Sequence, residues 1–555
     1  MKGKLAVTAG VLLFMGGCGF MEETKNSLSA GGSVNVSEAD TSIVEEVERE
    51  KPAVSEDPSV NENLVRYGPV EPEAEFPENI STDLYINNDE SSLSVNEDQW
   101  FPEDYTDVSG VTTFRGGPLR DRPAYGTLPG GEPGIKEMWS FTTGADPDWG
   151  GGAGWTGQPV IVQWDSEAKK HMNLASHLKE DDSFTEVIQG SLDGKIYFLN
   201  LDTGEQSRPP IENRNPVKGS VAIDPRGYPV LYVGDGVPTG ADKPFGFNIY
   251  SLIDGDLLHH IDGRDELALR EWGAFDSSAI VNRETDTLIV GGENGMFYHL
   301  KLNTDYDREA GTISLNPEET KLRYRVEGNE YKGIESSVAV YRNLAYFSDN
   351  GGSILGVDIR TMEPFFSLPP LDDTDSTIVL DVIDDVPYLY TATEVDNIGE
   401  DGDCHIRKIN GLTGEVLWEK TYSAYYYPGV VGGVLATPVL GKKNMEGLVV
   451  FTVARHGGRY SGIMAALDKE TGEEVWRHDM PHYAWSSAVD VYDEEGNGYL
   501  IQADFGGDVR ILEGTTGETI TRQNFGFNIE ASPAVFNNKA VFASRGGRIH
   551  AIALD

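Results

Sequence analysis

The 555-residue sequence is poor in cysteine, and this bounds how it can be stabilised. Only Cys18 and Cys404 are present. A folded region of several hundred residues can bury enough apolar surface to be stable without disulfides, so scarce cysteine does not exclude an exported protein. Cys404 opens an alternating strand, and we interpret it as a small, half-buried apolar residue rather than a reactive thiol.

Basic residues are also scarce, with 44 Lys and Arg against 91 Asp and Glu, and the formal net charge is −47. Such a protein would repel the phosphates of nucleic acids and the bare surface of anionic lipids, so we expect no nucleic-acid partner. The acidic excess favours an adaptation of the surface to salt or alkali. Attraction of cations, or of a basic partner, is the alternative explanation.

Common catalytic motifs are missing as well. The sequence has no glycine-rich phosphate loop leading into a helix, no nucleophile elbow, and no His-Glu-x-x-His pair with helical spacing. It also has no paired His and Cys spacing for a metal ion. The sequence therefore leaves the existence of an enzymatic activity open and favours a binding protein.

The first 18 residues have the pattern of an export leader. Two lysines precede the apolar run 5–15, which is too short for a permanent membrane-spanning helix of about 20 residues. The run ends in Met-Gly-Gly-Cys, which resembles a bacterial lipobox. We expect the mature protein to begin at a diacylated Cys18 on the extracytoplasmic face of the cell membrane, because two acyl chains anchor stably. An ordinary secretory leader with an incidental cysteine is the alternative.

Residues 19–107 differ in composition from the C-terminal remainder of the chain. They contain 23 Asp and Glu against 4 Lys and Arg, with few aromatic residues. Such a segment cannot bury enough apolar surface to offset the entropy of ordering, so we predict a disordered acidic tether. A flexible chain of about 90 residues spans roughly 50 Å, and charge repulsion extends it. Trp100, Phe101 and Tyr105, near its end, are candidates for docking on the folded domain.

A short unit recurs from about residue 110 to residue 555. Each copy has an alternating strand that ends on Asn, Asp or Glu, a turn through Thr-Gly, and often a further strand with Trp. The clearest copies are 190–205, 403–418, 461–476 and 505–518. Asn and Asp can bond the backbone two residues on, and glycine supplies the positive φ of a tight turn. Repetition of this kind is typical of a repeat architecture.

Eight units each open with small and hydroxyl residues. The openings lie at residues 157–160, 218–221, 276–279, 335–338, 375–378, 436–439, 485–488 and 531–534. The last unit lacks a fourth strand, whereas residues 136–143 read as a fourth strand without the first three. We therefore predict an all-β, eight-bladed propeller of four-stranded antiparallel blades over residues 108–555, closed by strands from both termini. Trp418, Trp476 and Phe366 should wedge between blades.

The recurring Asp/Asn-x-x-Thr-Gly-x-x-x-Trp pattern resembles the pyrroloquinoline-quinone-type repeat, whose members form eight-bladed propellers. They include quinone-dependent dehydrogenases, an outer-membrane assembly lipoprotein, and anchored proteins without known activity. Residues 154–159 and 272–278 resemble exported Gram-positive lipoproteins of the last kind. The dehydrogenases hold the quinone between a Trp and a disulfide of adjacent cysteines, beside calcium. Because this sequence has no adjacent cysteines, we assign no catalytic residue of these enzymes to any position in it. We also do not expect the quinone as a cofactor.

The residues that vary at the unit openings form the candidate site. First strands line the central channel of a propeller, so charged residues just ahead of them should ring one mouth. Four carboxylates that converge there raise each other's pKa unless a cation neutralises them, and oxygen ligands suit Ca²⁺. The candidate calcium ligands are Asp276, Glu335, Asp375 and Glu530, and the candidate ligand-binding residues of the funnel are Trp155, Gln158, Lys218 and Trp485. A solvated funnel in an acidic protein is the alternative.

These observations predict a lipid-anchored, extracytoplasmic monomer that binds or scaffolds at its funnel face. The expected partners are the membrane, through the anchor, and a protein or cell-envelope ligand. One alternative is a quinoprotein-like dehydrogenase with an altered cofactor clamp. Another is an assembly or sensing factor for envelope proteins that recognises strands at exposed blade edges.

Overall fold

The computed structural model describes residues 68–555, apart from residues 75, 93–95, 97, 147–149, 154 and 241–242. The predicted leader, Cys18 and the first part of the predicted tether lie outside the described residues. The described chain forms an eight-bladed β-propeller, as predicted. Its α-helices are Ser166–His171 and Ser176–Lys179, and none of the described helices is long and apolar enough to cross a membrane.

Each blade is a four-stranded antiparallel sheet, with its first strand at the channel and its fourth at the rim. In blades 1 to 4 the strands are Val160–Gln163, Glu186–Gly190, Lys195–Asn200 and Ile211–Glu212; Ala222–Ile223, Val230–Gly234, Gly246–Ser251 and Leu257–Asp262; Ile280–Asn282, Thr287–Gly291, Met296–Lys301 and Glu318–Val326; and Ala339–Tyr341, Leu344–Ser348, Ile354–Asp358 and Glu363–Leu368. In blades 5 to 8 they are Val379–Ile383, Val386–Ala392, Asp403–Asn410 and Val416–Ser423; Val439–Leu440, Leu448–Ala454, Gly462–Asp468 and Glu474–Met480; Val489–Tyr492, Gly498–Ala503, Asp508–Glu513 and Thr519–Asn524; and Ala534–Phe536, Lys539–Ser544, Arg548–Ala553 and Lys136–Thr142.

Shorter elements decorate these blades. The additional strands are Ile80–Ile86, Asp89–Glu90, Ser109–Val111, Ala124–Tyr125, Ala145–Asp146, Gly150–Gly151, Asp305–Asp307, Thr312–Ser314, Glu394–Val395 and Gly432–Gly433, and the 3-10 turns are Phe114–Gly116, Gly399–Asp401 and Lys443–Met445. The insertion at 164–184 follows the first strand of blade 1 and contains both helices. The insertion at 393–402 follows the second strand of blade 5. Because successive strands of a blade run in opposite directions, these two insertions lie on opposite faces of the ring.

Blade 8 takes strands from both ends of the chain, as the sequence predicts. Lys136–Thr142 pairs antiparallel with Arg548–Ala553, so the N-terminal strand supplies the rim of the C-terminal blade. Trp139 of this strand packs on Gly204 of blade 1, and its indole Nε1 donates to the Leu201 carbonyl at 2.8 Å. The two ends of the repeat are therefore joined by a strand ladder and by an interblade contact.

Aromatic residues of the fourth strands fasten neighbouring blades, as the sequence also predicts. Trp418 lies over Gly472 of the next blade, where a Cβ would come within 2.8 Å of the indole ring. The indole Nε1 donates to the Lys469 carbonyl at 3.0 Å. Gly472 has φ +71, so the turn needs glycine both for its backbone conformation and for the close approach. The same contact pairs Trp139 with Gly204, Phe366 with Gly414, and Trp476 with Gly517.

The hydroxyl residues of the unit openings link the innermost strands into a belt around the channel. In this belt, an amide of one blade donates to a Ser or Thr hydroxyl at the equivalent position of the next. The bonds are Gln158 N to Ser220 Oγ, Ser278 N to Ser337 Oγ, Ser337 N to Thr377 Oγ1, Thr377 N to Thr437 Oγ1, Thr437 N to Ser487 Oγ, and Ser487 N to Ser532 Oγ, at 2.8–3.3 Å. The belt fixes which residues of different blades are equivalent. Residues two positions before it lie on one side of the ring, which we call the opening face.

The channel is closed on the other side of the belt by residues 112–123, which we call the plug. Backbone carbonyls of the plug accept hydrogen bonds from backbone amides of the blades, each of which lies three residues after the belt residue of its blade. These amides belong to Ile223, Val340, Leu380 and Val535 and meet the carbonyls of Thr112, Pro118, Leu119 and Pro123. The plug therefore contacts the inner strands of blades 2, 4, 5 and 8 directly. The repeat pattern gives no indication of it, because the plug precedes the first unit.

Two fully buried arginines hold the plug in place. Arg115 donates from its guanidinium to the carbonyls of Pro438 and Ala488, each at 2.9 Å. Arg120 donates to the carbonyls of Ser278 and Val338, each at 2.8 Å. The acceptors belong to four different blades, so two planar donor groups link half of the ring.

The prediction of disorder is wrong for the last part of the predicted tether. Ile80–Ile86 is an outer strand of blade 3, paired residue by residue with Glu318–Val326. Asp83 accepts from Arg323 and Arg325 of the neighbouring strand, at 2.9 and 2.8 Å. The acidic composition argued for disorder, but here the charge is neutralised by arginines that are distant in sequence. The predicted docking of Phe101 and Tyr105 is confirmed, since both are buried between blades 3 and 4.

Replacing Gly472 by Ala tests the interblade contact. Alanine at this positive φ costs about 1 kcal/mol, and its Cβ would also displace the Trp418 indole. We expect the free energy of unfolding to fall by roughly 2–4 kcal/mol in chemical denaturation. Gly526→Ala is the matched control, because Gly526 also has a positive φ, +88, and a Cβ there meets nothing within 4 Å. Equal effects of the two substitutions would show that the contact is unimportant.

Replacing Arg120 by Met tests the plug. The substitution leaves the buried carbonyls of Ser278 and Val338 without their donor, and we expect a loss of about 3–5 kcal/mol. Arg122→Met is the control, since the Arg122 side chain is 71% exposed. Hydrogen exchange should show faster opening of the inner strands in the Arg120 variant alone. Unchanged exchange there would exclude an anchoring role for this arginine.

Candidate functional site

The opening face carries the residues that the sequence singled out. Lys218, Asp276, Glu335 and Asp375 stand two positions before the belt on blades 2 to 5, next to one another around the ring. Glu530 occupies the same position on blade 8. The structure therefore brings three of the four predicted carboxylates to neighbouring blades and places the fourth elsewhere. The three are divided between two groups of different composition.

The first group, which we call the lysine-centred group, consists of Lys218, Asp276, Glu293 and Glu335. The Lys218 ammonium contacts Asp276 most closely and lies 3.5 Å from Glu335 and 3.8 Å from Glu293. Burial alone would lower the pKa of Lys218, but attraction to the three carboxylates raises it well above its usual value. The chain itself therefore supplies a cation to this group, so Lys218 is an ion-pair partner rather than an open ligand-binding residue.

The second group, which we call the acid triad, consists of Asp373, Asp375 and Glu394. Asp373 and Asp375 precede the first strand of blade 5, and Glu394 follows its second strand. One carboxylate oxygen from each residue lies within 4.8 Å of the others. Asp375 Oδ1 and Glu394 Oε1 are buried and accept no hydrogen bond from an amide, hydroxyl or ammonium group of the described residues, and the two carboxyls hydrogen-bond each other only when one of them is protonated. Burial raises the pKa of all three carboxyls well above the usual range, and repulsion adds to the shift, from Asp375 on Asp373 and Glu394 and from Glu335 on Asp375.

Asn350 joins the two groups. Its side-chain amide nitrogen lies 3.2 Å from Glu335 Oε2 and 3.2 Å from Asp373 Oδ1. Its side-chain oxygen accepts from Arg270 at 2.7 Å. Asn350 lies in the turn between the second and third strands of blade 4, and nothing in the repeat pattern indicates a role for it at the site.

The other part of the opening face is aromatic and carries arginines. The rings of Trp155 and Trp485 are stacked with centroids 6.2 Å apart. Arg545 lies 4.9 Å above Trp155, and Arg455 lies 5.7 Å from Trp485. The predicted funnel residues Trp155 and Trp485 thus come together. We call these four residues, with Glu530, the aromatic–arginine group.

Glu530 does not join the other carboxylates. Its nearest charged group is Arg545, at 3.7 Å, and Asn528 donates to its Oε1 at 2.8 Å. Burial raises the pKa of Glu530, and Arg545 opposes the shift. The predicted ring of four calcium ligands is therefore wrong in this member, because blade 8 lies three blades away from blade 3 and provides its own counter-ion.

Gln158 is a structural residue of the plug rather than a funnel residue. It is 2% exposed, and its side-chain oxygen accepts from the Arg115 amide at 2.8 Å. Its side-chain nitrogen donates to the Pro533 carbonyl at 2.5 Å. Gln158 is part of the belt, so its side chain points toward the plug and not toward the opening face.

Sequence reasoning missed Glu293, Asp373 and Glu394. Glu293 and Glu394 each come just after a second strand, in blades 3 and 5. Second and first strands are antiparallel, so the end of one lies beside the start of the other. A search for charged residues at both of these positions would have found Glu293 and Glu394, whereas Asp373 lies two residues before Asp375 and outside both positions.

Comparison with known proteins supports the propeller. A family model described as outer membrane protein assembly factor BamB matches residues 460–555, from the third strand of blade 6 to the chain end. No curated protein matches the chain. Quinohemoprotein alcohol dehydrogenase ADHIIG from Pseudomonas putida HK5 is similar, with a TM-score of 0.53, 13% identity and 80% coverage of both chains. BamB from Moraxella catarrhalis has a TM-score of 0.46 and 16% identity, covering 76% of this chain and all of its own. At these identities, the similarity to the dehydrogenase shows the fold alone.

The described residues do not fit the quinone clamp. That clamp needs adjacent cysteines, and Cys404, the cysteine that the structure describes, is fully buried in the core of blades 5 and 6. Burial raises the pKa of its thiol, which agrees with its interpretation as an apolar residue. The chemistry available at the opening face is instead that of carboxylates, arginines and aromatic rings, which bind ions and polar partners.

Asp349, next to Asn350 in the same turn, should make stability depend on pH. Burial raises its pKa from 3.8 to about 7, although backbone amides and Asn329 donate to it. The folded state then holds this proton more tightly than the unfolded state, so stability falls as pH rises from about 4 through 7. Asp349→Asn removes this contribution.

Between pH 5 and pH 8, we expect the free energy of unfolding of the variant to fall by about 2 kcal/mol less than that of the wild type. The measurement is urea denaturation at each pH with a chelator present, so that bound cations do not contribute. The variant will be less stable overall, since its amide cannot accept all four hydrogen bonds, but only the slope is diagnostic. Equal slopes for the two proteins would contradict an elevated pKa at Asp349.

Proposed function

We propose that the chain is a lipid-anchored, extracytoplasmic binding propeller that holds a ligand or partner at its opening face. The anchor is Cys18, as the leader pattern predicts. The observation that carries the proposal is the asymmetry of this face: partly exposed, stacked Trp155 and Trp485 lie beside arginines on one part, and buried carboxylates lie on another. The plug closes the channel behind them, so a ligand reaches these groups from the opening face.

The charge distribution indicates the chemistry of the ligand. A ligand with a basic group is attracted by the acidic field of the protein and by the acid triad. A carboxylate on the same ligand would be favoured near Arg455 and Arg545. Both requirements are met by a polypeptide segment, and the stacked tryptophans provide apolar area with defined geometry. A polypeptide of the cell envelope is therefore the partner we propose.

Among the alternatives, assembly or sensing of envelope proteins is consistent with this proposal, since it also requires a polypeptide partner. The blade-3 edge is already occupied by Ile80–Ile86, which shows that a rim of this propeller accepts an added strand. A quinoprotein-like dehydrogenase is disfavoured, because the described residues provide no clamp for the quinone.

Photo-crosslinking tests the proposal. A photoreactive amino acid is placed at position 485 in the full-length protein, and cells are irradiated so that the native envelope is present. We expect a discrete polypeptide adduct whose yield falls several-fold when the ionic strength is raised from 0.1 to 0.5 M, because charges attract the partner. Val475, an exposed residue of the blade-6 rim, is the control position. Equal adducts from positions 475 and 485, or none from position 485, would overturn the proposal.

A further inference from the structure

We propose that the acid triad, Asp373, Asp375 and Glu394, binds one divalent cation of the oxygen-preferring kind, with Ca²⁺ the best fit. The inference does not depend on the proposed polypeptide partner. It changes the predicted calcium site as well, since of the four residues predicted from the sequence only Asp375 is retained.

The spacing of the triad suits a calcium ion. Calcium binds oxygen at 2.3–2.6 Å, so two ligands on opposite sides of the ion are separated by about 4.6–5.2 Å. The triad offers three oxygens that all lie within 4.8 Å of one another. One ion can therefore contact all three without a rearrangement of the backbone.

Two oxygens of the triad are buried without a partner. Glu394 is 2% exposed, and its Oε1 has no donor among the described residues; the same is true of Asp375 Oδ1. A buried polar atom without a partner is costly, and a buried carboxylate even more so. Both residues belong to the set in which one carboxylate oxygen of each member lies within 4.8 Å of the others. A cation bound among these residues would satisfy both atoms.

Two other clusters of potential ligands in the described chain serve as internal comparisons. Asp276, Glu293 and Glu335 have the Lys218 ammonium among them. The cluster of His482, Asp504 and Asp508 has Arg510, 2.7 Å from Asp504 and 3.5 Å from Asp508. In both cases the chain places its own cation between the carboxylates.

Among the described residues, no Lys or Arg forms an ion pair with Asp373, Asp375 or Glu394; Lys218 pairs with the neighbouring group and attracts Asp375 without pairing with it. The Asn350 side-chain amide donates to Asp373 of the triad and to Glu335 of the neighbouring group, and it carries no charge. The triad is thus the one of the three clusters, within the described residues, that lacks a cation of its own. An external ion takes the place that Lys218 and Arg510 occupy elsewhere.

The backbone around the triad is fixed. The Glu394 amide donates to the Asp373 carbonyl at 2.7 Å, which ties the two arms of the site together. The following loop is held by Asp372, which accepts from the amides of Asp396 and Asn397 at 3.2 and 2.7 Å. Asp373 and Asp375 are partly exposed, so an ion can enter from the opening face.

The ligand chemistry selects among metals. All three donors are carboxylate oxygens, which suits Ca²⁺ and Mg²⁺ rather than metals that prefer nitrogen or sulfur. Magnesium requires distances of 2.0–2.1 Å and retains most of its water, whereas calcium accepts irregular protein cages. Three carboxylates fixed on two chain segments form an irregular protein cage of this kind and therefore favour calcium.

Isothermal titration of the full-length, chelator-treated protein with CaCl₂ tests the inference, at 0.3 M NaCl to suppress weak binding to other acidic residues. We expect one tight site per chain and at least tenfold weaker binding of MgCl₂. The double variant Asp375→Asn/Glu394→Gln should lose this site, with affinity reduced at least a hundredfold. The double variant Asp504→Asn/Asp508→Asn is the matched control, because it removes the same number of carboxylates from a cluster on blade 7 that Arg510 already pairs with, and it should keep the site within about threefold.

Thermal denaturation keeps the test informative if a variant folds poorly. Millimolar CaCl₂ should raise the melting temperature of the wild type and of the control variant, and leave that of the triad variant unchanged. Circular dichroism must show the same β-sheet content in all three proteins. If the wild type shows no stoichiometric calcium site, or the triad variant keeps it, the inference is wrong. It is equally wrong if both double variants lose the site to the same extent.

Discussion

The belt of amide-to-hydroxyl hydrogen bonds between the innermost strands is the interaction on which the rest of the structure depends. Ser337 shows how it works: its hydroxyl accepts from blade 3, and its amide donates to Thr377 of blade 5. A small side chain is required where eight strands converge, and a hydroxyl satisfies a backbone amide that has no partner in its own sheet. Once this register is set, the preceding residues lie on the opening face and the following residues meet the plug.

Most of the fold could be predicted from the sequence, because its determinants are local. The turn at Gly472 needs a positive φ, and the aromatic residue four positions later falls on the next strand, where it meets the following blade. The closing strand, Lys136–Thr142, could be recognised because it has the pattern of a fourth strand with no unit of its own, whereas the last unit has no fourth strand. The plug could not be predicted, since Arg115 and Arg120 bind backbone carbonyls of residues more than 150 positions away. Every residue has a backbone carbonyl whatever its side chain, so the sequence does not mark these acceptors.

The candidate site shows the same division. Asp276, Glu335 and Asp375 could be found because they occupy one position of a repeated unit. Glu394 does not occupy that position, because it follows the second strand of blade 5, where its backbone is held by the pairing of Glu394–Val395 with Gly432–Gly433 of blade 6. The tether was predicted to be disordered over residues 80–86 because composition counts acidic residues but not their partners. Asp83 is neutralised by Arg323 and Arg325, about 240 positions later.

The closed ring also accounts for the strong electrostatics of the opening face. Channel-facing positions on neighbouring blades are brought together by the belt, and the plug removes the water that would otherwise fill the channel beneath them. Carboxylates placed there interact at close range in a region of low polarity, where repulsion is poorly screened. A chain with a large acidic excess cannot provide a lysine for every such position, so Lys218 serves one group and leaves its neighbour uncompensated. Protonation of the carboxyls, or the external cation that we propose, compensates the acid triad, and both follow from the geometry of the ring and the charge of the chain together.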